Sequence, residues 1–131
     1  MNYQSFNAKA GSYLFLLFRV LIGFLFFQHG AQKLLGWFGG IPMNGMMYVA
    51  GIIELAGGIL ILLGLFTRVA ATITALEMLA AYFIAHFPQG LNPFLNGGEL
   101  ALLYFAAFLV LVIHGAGKYN LERVLWKKEM F

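Results

Sequence analysis

The sequence has no cysteine and is poor in charge and in proline. Its 131 residues include three prolines, 10% charged side chains and only five acidic ones. Without cysteine, disulfides, thiol redox chemistry and cysteine-ligated metal centres are excluded. The shortage of charge says more. A soluble domain carries about 25% charged residues, and a short chain has a large surface to cover with them. A lipid bilayer removes that demand, because the outside of a helix bundle in lipid is itself apolar. With 62% hydrophobic residues, the chain reads as a single-domain integral membrane protein. The net charge of +3 does not form a basic stripe interleaved with aromatics, so a nucleic-acid partner is not expected. The first apolar run begins near Ser12, passes Phe27 and lacks a small-residue cleavage site, so it reads as a retained span and not a signal peptide.

A spanning helix needs roughly 20 mostly apolar residues to cross a ~30 Å hydrocarbon core. Four stretches qualify, at about residues 12–35, 46–66, 68–87 and 98–117. The breaks are rich in turn residues, including Gly39-Gly40, Pro42, Gly64, Pro88 and Pro93. Unalternating apolar runs in lipid predict helices over strands. The expected fold is an all-α bundle of four transmembrane helices. Lysine and arginine mark the cytoplasmic side of a membrane protein. Lys9, Arg68, Lys118, Arg123, Lys127 and Lys128 fall on one side and Lys33 on the other, which predicts that both termini are cytoplasmic, in a bacterial inner membrane. The tail, residues 118–131, should form a short amphipathic helix from Tyr119 onward, capped by Asn120 and lying on that surface. Glycines 51, 57, 58 and 64, with Ala70, Thr74, Ala81 and Ala85, mark close helix contacts and a possible homo-oligomer face.

Ionisable residues inside spans cost at least ~2.5 kcal/mol each near the bilayer centre on insertion scales, so they are normally paired, buried or functional. Glu54 and Glu77 fall near the midplane, and Arg19 about a third of the way in from the cytoplasmic side. An Arg19–glutamate bridge locking the bundle is one expectation. A proton relay through the spare carboxyl is the other. A second group converges at the outer interface. His29 and Lys33 share one helix face, His86 ends the third span, Glu99 begins the fourth, and Asn92 and Asn96 lie in the loop between. Trp37, Phe38, Phe87 and Phe94 would ring them. His114 stands apart and reads as structural.

Histidines at a membrane interface can ligate haem or a metal, or donate hydrogen bonds to quinone carbonyls. Neither a His-Glu-x-x-His nor a Cys-x-x-Cys-His spacing supports a metal or a covalent haem. An amphiphilic quinone ring fits His, Lys and aromatic residues better. The expected cofactor-binding set is His29, Lys33, His86, Asn96 and Glu99, with Arg19, Glu54 and Glu77 as structural or relay residues and no metal site. A weak internal echo relates the loop after His29 to the loop after His86.

In chain order the polar and glycine motifs run Arg19, His29-Gly30-Ala31-Gln32-Lys33-Leu34, Gly36-Trp37-Phe38-Gly39-Gly40, Glu54-Leu55-Ala56-Gly57-Gly58 and Gly64-Leu65-Phe66-Thr67-Arg68. They continue with Met78, Ala81-Tyr82-Phe83, His86-Phe87-Pro88, Asn96-Gly97-Gly98-Glu99 and Gly115-Ala116-Gly117. This string resembles the DoxX family of small four-helix membrane proteins over about Leu14 to Asn120. The resemblance implies a membrane component of an oxidoreductase assembly, such as the subunit of a thiosulfate:quinone oxidoreductase, or of systems handling oxidative and thiol stress. Its signature positions fall on Arg19, His29, Lys33, Glu54, His86, Asn96 and Glu99. The leading expectation is a quinone-binding subunit working with a redox partner. Proton-coupled or small-solute transport through the buried carboxyls, and a scaffold that docks a soluble redox enzyme, are the alternatives.

Overall fold

The computed structural model describes residues 3–129, and these form helices joined by tight turns. The long helix α1 (Tyr3–Leu35) begins about two turns before the apolar run and ends at Gly36, whose left-handed backbone (φ 69°) suits glycine. Helix α2 (Gly45–Leu63) starts where the Asn44 side chain accepts the Met47 N–H at 3.0 Å. It stops at Gly64 (φ 72°), where Leu65 N–H reaches back to the Leu60 carbonyl and Gly64 N–H to Ile61. That double bond pattern closes a helix with a left-handed residue. Helix α3 (Thr67–Ala81) continues through a π turn (Tyr82–His86) and a 3₁₀ turn (Phe87–Gln89) that contains Pro88. A single helical turn α4 (Pro93–Asn96), helix α5 (Glu99–His114) and the short α6 (Leu121–Trp126) follow.

The four apolar stretches are helical, with regular helices shorter than expected. The second ends at Leu63 and not 66, the third leaves α-geometry after Ala81, and the fourth stops at His114. Three helices, Tyr3–Leu35, Gly45–Leu63 and Thr67–Gln89, are long and apolar enough to cross a membrane. The apolar α5 has 16 residues, so its axis is about 24 Å long at 1.5 Å per residue. Outward faces are apolar, with Leu14, Leu17, Phe24, Ile52, Leu76 and Leu103 among the exposed side chains.

Two antiparallel pairs build the bundle. In the first, glycines bring α1 and α2 to backbone contact. A Cβ on Gly58 would lie 2.5 Å from the Phe27 nitrogen, and one on Gly23 2.5 Å from that of Leu62. Gly30 likewise meets Leu55, and Gly51 meets Leu34. In the second pair α3 lies along α5 through Ala70, Ala71, Ala75 and Met78 against Ala101, Tyr104, Phe108 and Leu111. Phe26 joins the pairs, its ring 4.7 Å from that of Phe108 and 5.2 Å from that of Tyr104. As expected from the small residues, Gly57 faces Thr74 across α2 and α3. Ala85, in contrast, is exposed.

The end that holds the α2–α3 turn and the C-terminal segment is tied by polar side chains bonded to backbone. Glu122 is fully buried and accepts the Phe66 N–H at 2.6 Å, which secures the left-handed backbone of Phe66 (φ 46°). Asn120 caps α6 by accepting the Arg123 N–H at 2.9 Å, as its sequence position predicts. Arg68 donates to the Val112 and Ile113 carbonyls in the last turn of α5 at 2.8 and 2.6 Å. Those carbonyls lack helix partners, and a cation at a helix C-terminus is favoured by the helix dipole. The tail thus docks through Glu122 on the α2–α3 turn while Val124 and Leu125 stay exposed. Met130 and Phe131 of the predicted amphipathic tail lie outside the described residues.

Arg19 departs from expectation. It does not meet Glu54 or Glu77. Its guanidinium donates to the carbonyls of Ala116 and Tyr119, the latter at 2.7 Å. The glycine-set register explains this. It places Arg19 beside Gly64, ten residues or about 15 Å along α2 from Glu54. Arg19 is therefore a clamp between α1, the α2–α3 turn and the C-terminal segment, and it is 3% exposed.

Candidate functional site

The opposite end holds a cavity of about 710 Å³ between the two helix pairs. Its walls are mainly aliphatic and methionine side chains from α2, α3 and α5, among them Met46, Ile53, Met78 and Leu100. Into this apolar space come His29 and Lys33 from α1, Glu54 from α2, Glu77 and His86 from α3 and its π turn, and Tyr104 from α5. The midplane carboxyls thus share one chamber with His29, Lys33 and His86 of the outer-interface group. Depth counted in residues separated them, because it ignores side-chain length: the lysine stem reaches inward instead of toward water.

That reach forms the buried ion pair of the site. Lys33 Nζ donates to Glu54 Oε2 at 2.6 Å, with side-chain exposures of 11% and 5%. One turn back, His29 sets its ring edge-to-face on Tyr104, with centroids 5.7 Å apart. Glu77 receives no such partner. Its Oε2 atom is buried without a hydrogen bond among the described residues. With one lysine and two glutamates in the chamber, one carboxyl is left without a basic side chain.

His86 is placed by irregular backbone. The π turn, a feature often found at functional sites, carries Tyr82 and His86 against Gly98, where a Cβ would lie 2.6 Å from the Tyr82 ring and 2.8 Å from the His86 Cβ. His86 Nδ1 lies 3.3 Å from the Asn96 carbonyl oxygen. Asn96 is buried, and its amide donates to the Gly90 carbonyl at 2.8 Å and to the Tyr82 hydroxyl at 3.4 Å. Its Oδ1 accepts the Gly98 N–H at 2.8 Å. Asn96 therefore organises the loop behind His86 and does not line the chamber. Among the described residues no three His, Asp or Glu side chains gather to hold a metal ion.

Other predicted members stand elsewhere. Glu99 is exposed at the start of α5 and is not part of the chamber wall. Asn92 caps α4 by accepting the Phe94 N–H at 3.0 Å. Trp37, Phe38, Phe87 and Phe94 are exposed on the outside. His114 bonds through Nδ1 to the Val110 carbonyl at 3.0 Å within its own helix. Sequence reasoning missed Tyr104, whose signal is a phenol in the middle of an otherwise apolar helix.

The sequence profile of the DoxX family matches residues 14–87. The chain belongs to the DoxX family. Among its relatives is a Haemophilus influenzae protein described as uncharacterized, 42% identical over 92% of this chain and 96% of its own length. The Bacillus subtilis "Putative oxidoreductase CatD" is 32% identical, covering 86% of this chain and 87% of that one. The Escherichia coli "Inner membrane protein YqjF" is 33% identical, covering 86% and 92%. No solved structure matches the chain. The apolar helices and these relatives together identify a membrane protein of the DoxX family.

Proposed function

We propose that this protein is a membrane-embedded subunit of an oxidoreductase system and that the chamber between its helix pairs binds a quinone. The observation that carries this reading is the chamber itself: about 710 Å³, apolar walls, and ionisable groups confined to a few positions. Ligand sites are commonly concave spaces of roughly 300–1,000 Å³, mostly apolar, with a few polar groups that fix orientation. An amphiphilic ring with a lipid tail satisfies both kinds of wall. When bound, a quinone supplies a carrier of two electrons and two protons. Lys33, held by Glu54, and His29, held on Tyr104, orient the ring from α1. Glu77 and His86 face it from α3. The name of the Bacillus relative, an oxidoreductase, supports a redox partner for this subunit.

The same reading places the chain across a bacterial inner membrane four times, with α5 as the fourth crossing and both termini in the cytoplasm. Six basic residues, Lys9, Arg68, Lys118, Arg123, Lys127 and Lys128, lie toward the end of the bundle that holds the C-terminal segment. Lys33, toward the other end, turns inward to Glu54. Fusing a reporter active only outside the cytoplasm at Leu95, and then at the C-terminus, tests this. Activity is expected at Leu95 alone.

The deciding experiment is mass spectrometry of the organic extract of protein purified in mild detergent. Near-stoichiometric quinone, lost in folded His29→Ala and Lys33→Met variants, is the expected result. Extracts with bulk phospholipid and no quinone would overturn it. The unpartnered Glu77 favours a second reading, proton-coupled solute transport through the same chamber. Uptake into vesicles that Glu77→Gln abolishes would establish that one instead.

A further inference from the structure

His86 has a fixed hydrogen-bond direction. The Asn96 carbonyl oxygen can only accept, so the 3.3 Å contact to His86 Nδ1 is made by an Nδ1–H donor. In the neutral ring the proton on Nδ1 leaves a lone pair on Nε2. Nε2 has no protein partner among the described residues, and His86 is part of the chamber wall. The α3 side of the chamber therefore offers an acceptor. This is the reverse of the donating histidine expected from sequence. The tautomer is not loosely held. Asn96 is buried, and its side chain bonds Gly90 and Gly98 on either side, so its carbonyl stays aimed at the ring. Gly98 packs so closely that an added methyl group would clash with the Tyr82 ring and the His86 Cβ.

The α1 side is different. Lys33 keeps N–H groups beyond the one given to Glu54, since an ammonium carries three. The chamber is thus polarised, with a cationic donor on one wall and a histidine acceptor on another. An oxidised quinone has two acceptors, which suit the α1 side but leave the His86 acceptor unmet. A hydroquinone hydroxyl both donates and accepts, so one molecule satisfies both walls.

We infer that the chamber selects the hydroquinone over the quinone, through a hydrogen bond from a ligand hydroxyl to His86 Nε2. This rests on the quinone reading above and adds the redox form to it. His86 is then a specificity-determining residue, and Asn96 a positioning residue that acts through it.

The test uses full-length protein in lipid nanodiscs. Isothermal titration compares a short-tailed benzoquinone with the same compound reduced by borohydride and kept anaerobic. Hydroquinone should bind about tenfold tighter, the scale of one hydrogen bond. His86→Phe should remove that preference by weakening hydroquinone while leaving quinone within about twofold. Asn96→Ala should narrow the preference in the same direction, which a merely structural role would not do. Equal binding of the two forms, or tighter quinone, overturns the selection and leaves the quinone reading standing. So does a His86→Phe variant that loses both forms equally or retains the preference. Binding of neither form by the unmodified protein overturns both.

Discussion

The two ends of the bundle treat their polar residues in opposite ways. At the C-terminal end the clamping side chains bond to backbone, although the buried Thr67 hydroxyl has no partner among the described residues. Arg19 binds two carbonyls, Arg68 two more, and Glu122 an amide. Around the chamber, Lys33 meets Glu54, a buried oxygen of Glu77 is unpaired, and His86 uses one ring nitrogen on the Asn96 carbonyl. Backbone partners cannot be exchanged for a ligand, so the first end is a clamp. Groups with spare donors and acceptors around an open volume have capacity left for a ligand, so the second end is the candidate site. Charge inside an apolar chain does not by itself mark function. What matters is whether its hydrogen bonds are already used.

Substitutions can break that contrast. Arg19→Met should have the largest effect. Removing the guanidinium orphans the Ala116 and Tyr119 carbonyls, at about 1–3 kcal/mol each. A lower midpoint in thermal unfolding of detergent-solubilised protein would report it. Next comes Lys33→Met, which leaves Glu54 buried and unpaired, at about 2–4 kcal/mol. The double variant Lys33→Met/Glu54→Leu should recover most of that loss, because two apolar side chains restore a satisfied wall. If the double variant is no more stable than the single, the pair is not the isolated unit described here. Gly58→Ala comes third, at about 1–3 kcal/mol, since a methyl pressed against the Phe27 backbone must separate α1 from α2.

The smallest expected effects sharpen the comparison. Glu77→Gln should change stability by less than about 1 kcal/mol, because no partner is lost, yet it should alter ligand binding or proton movement. A large stability loss would place Glu77 with the clamp instead. Exposed Glu99→Gln should change unfolding by no more than about 0.5 kcal/mol. It should also leave quinone content unchanged, in contrast to His29 and Lys33.

Much of this was legible in the sequence. Low charge and long apolar runs specify membrane helices, because backbone in lipid must bond within its own segment. Gly64 and Asn120 mark helix ends by local chemistry that needs no tertiary information. His29, Lys33, Glu54, Glu77 and His86 stood out because ionisable groups are costly in lipid. Membership of the DoxX family was visible in the order of the motifs.

The pairing of those residues was not legible. Residue counting put Arg19 near the glutamates, and only the α1–α2 register carried it to the other end beside Gly64. That register is decided by which glycines admit which backbone, a property of two surfaces in contact. The separation of Asn96 and Glu99 from the chamber depends on loop geometry, and the tautomer of His86 on one carbonyl. Composition and spacing therefore determined the environment of this protein and the identity of its polar residues. Tertiary packing alone decided which of them hold the fold and which are left free, because a hydrogen bond forms at 3 Å in space and not at a fixed distance in sequence.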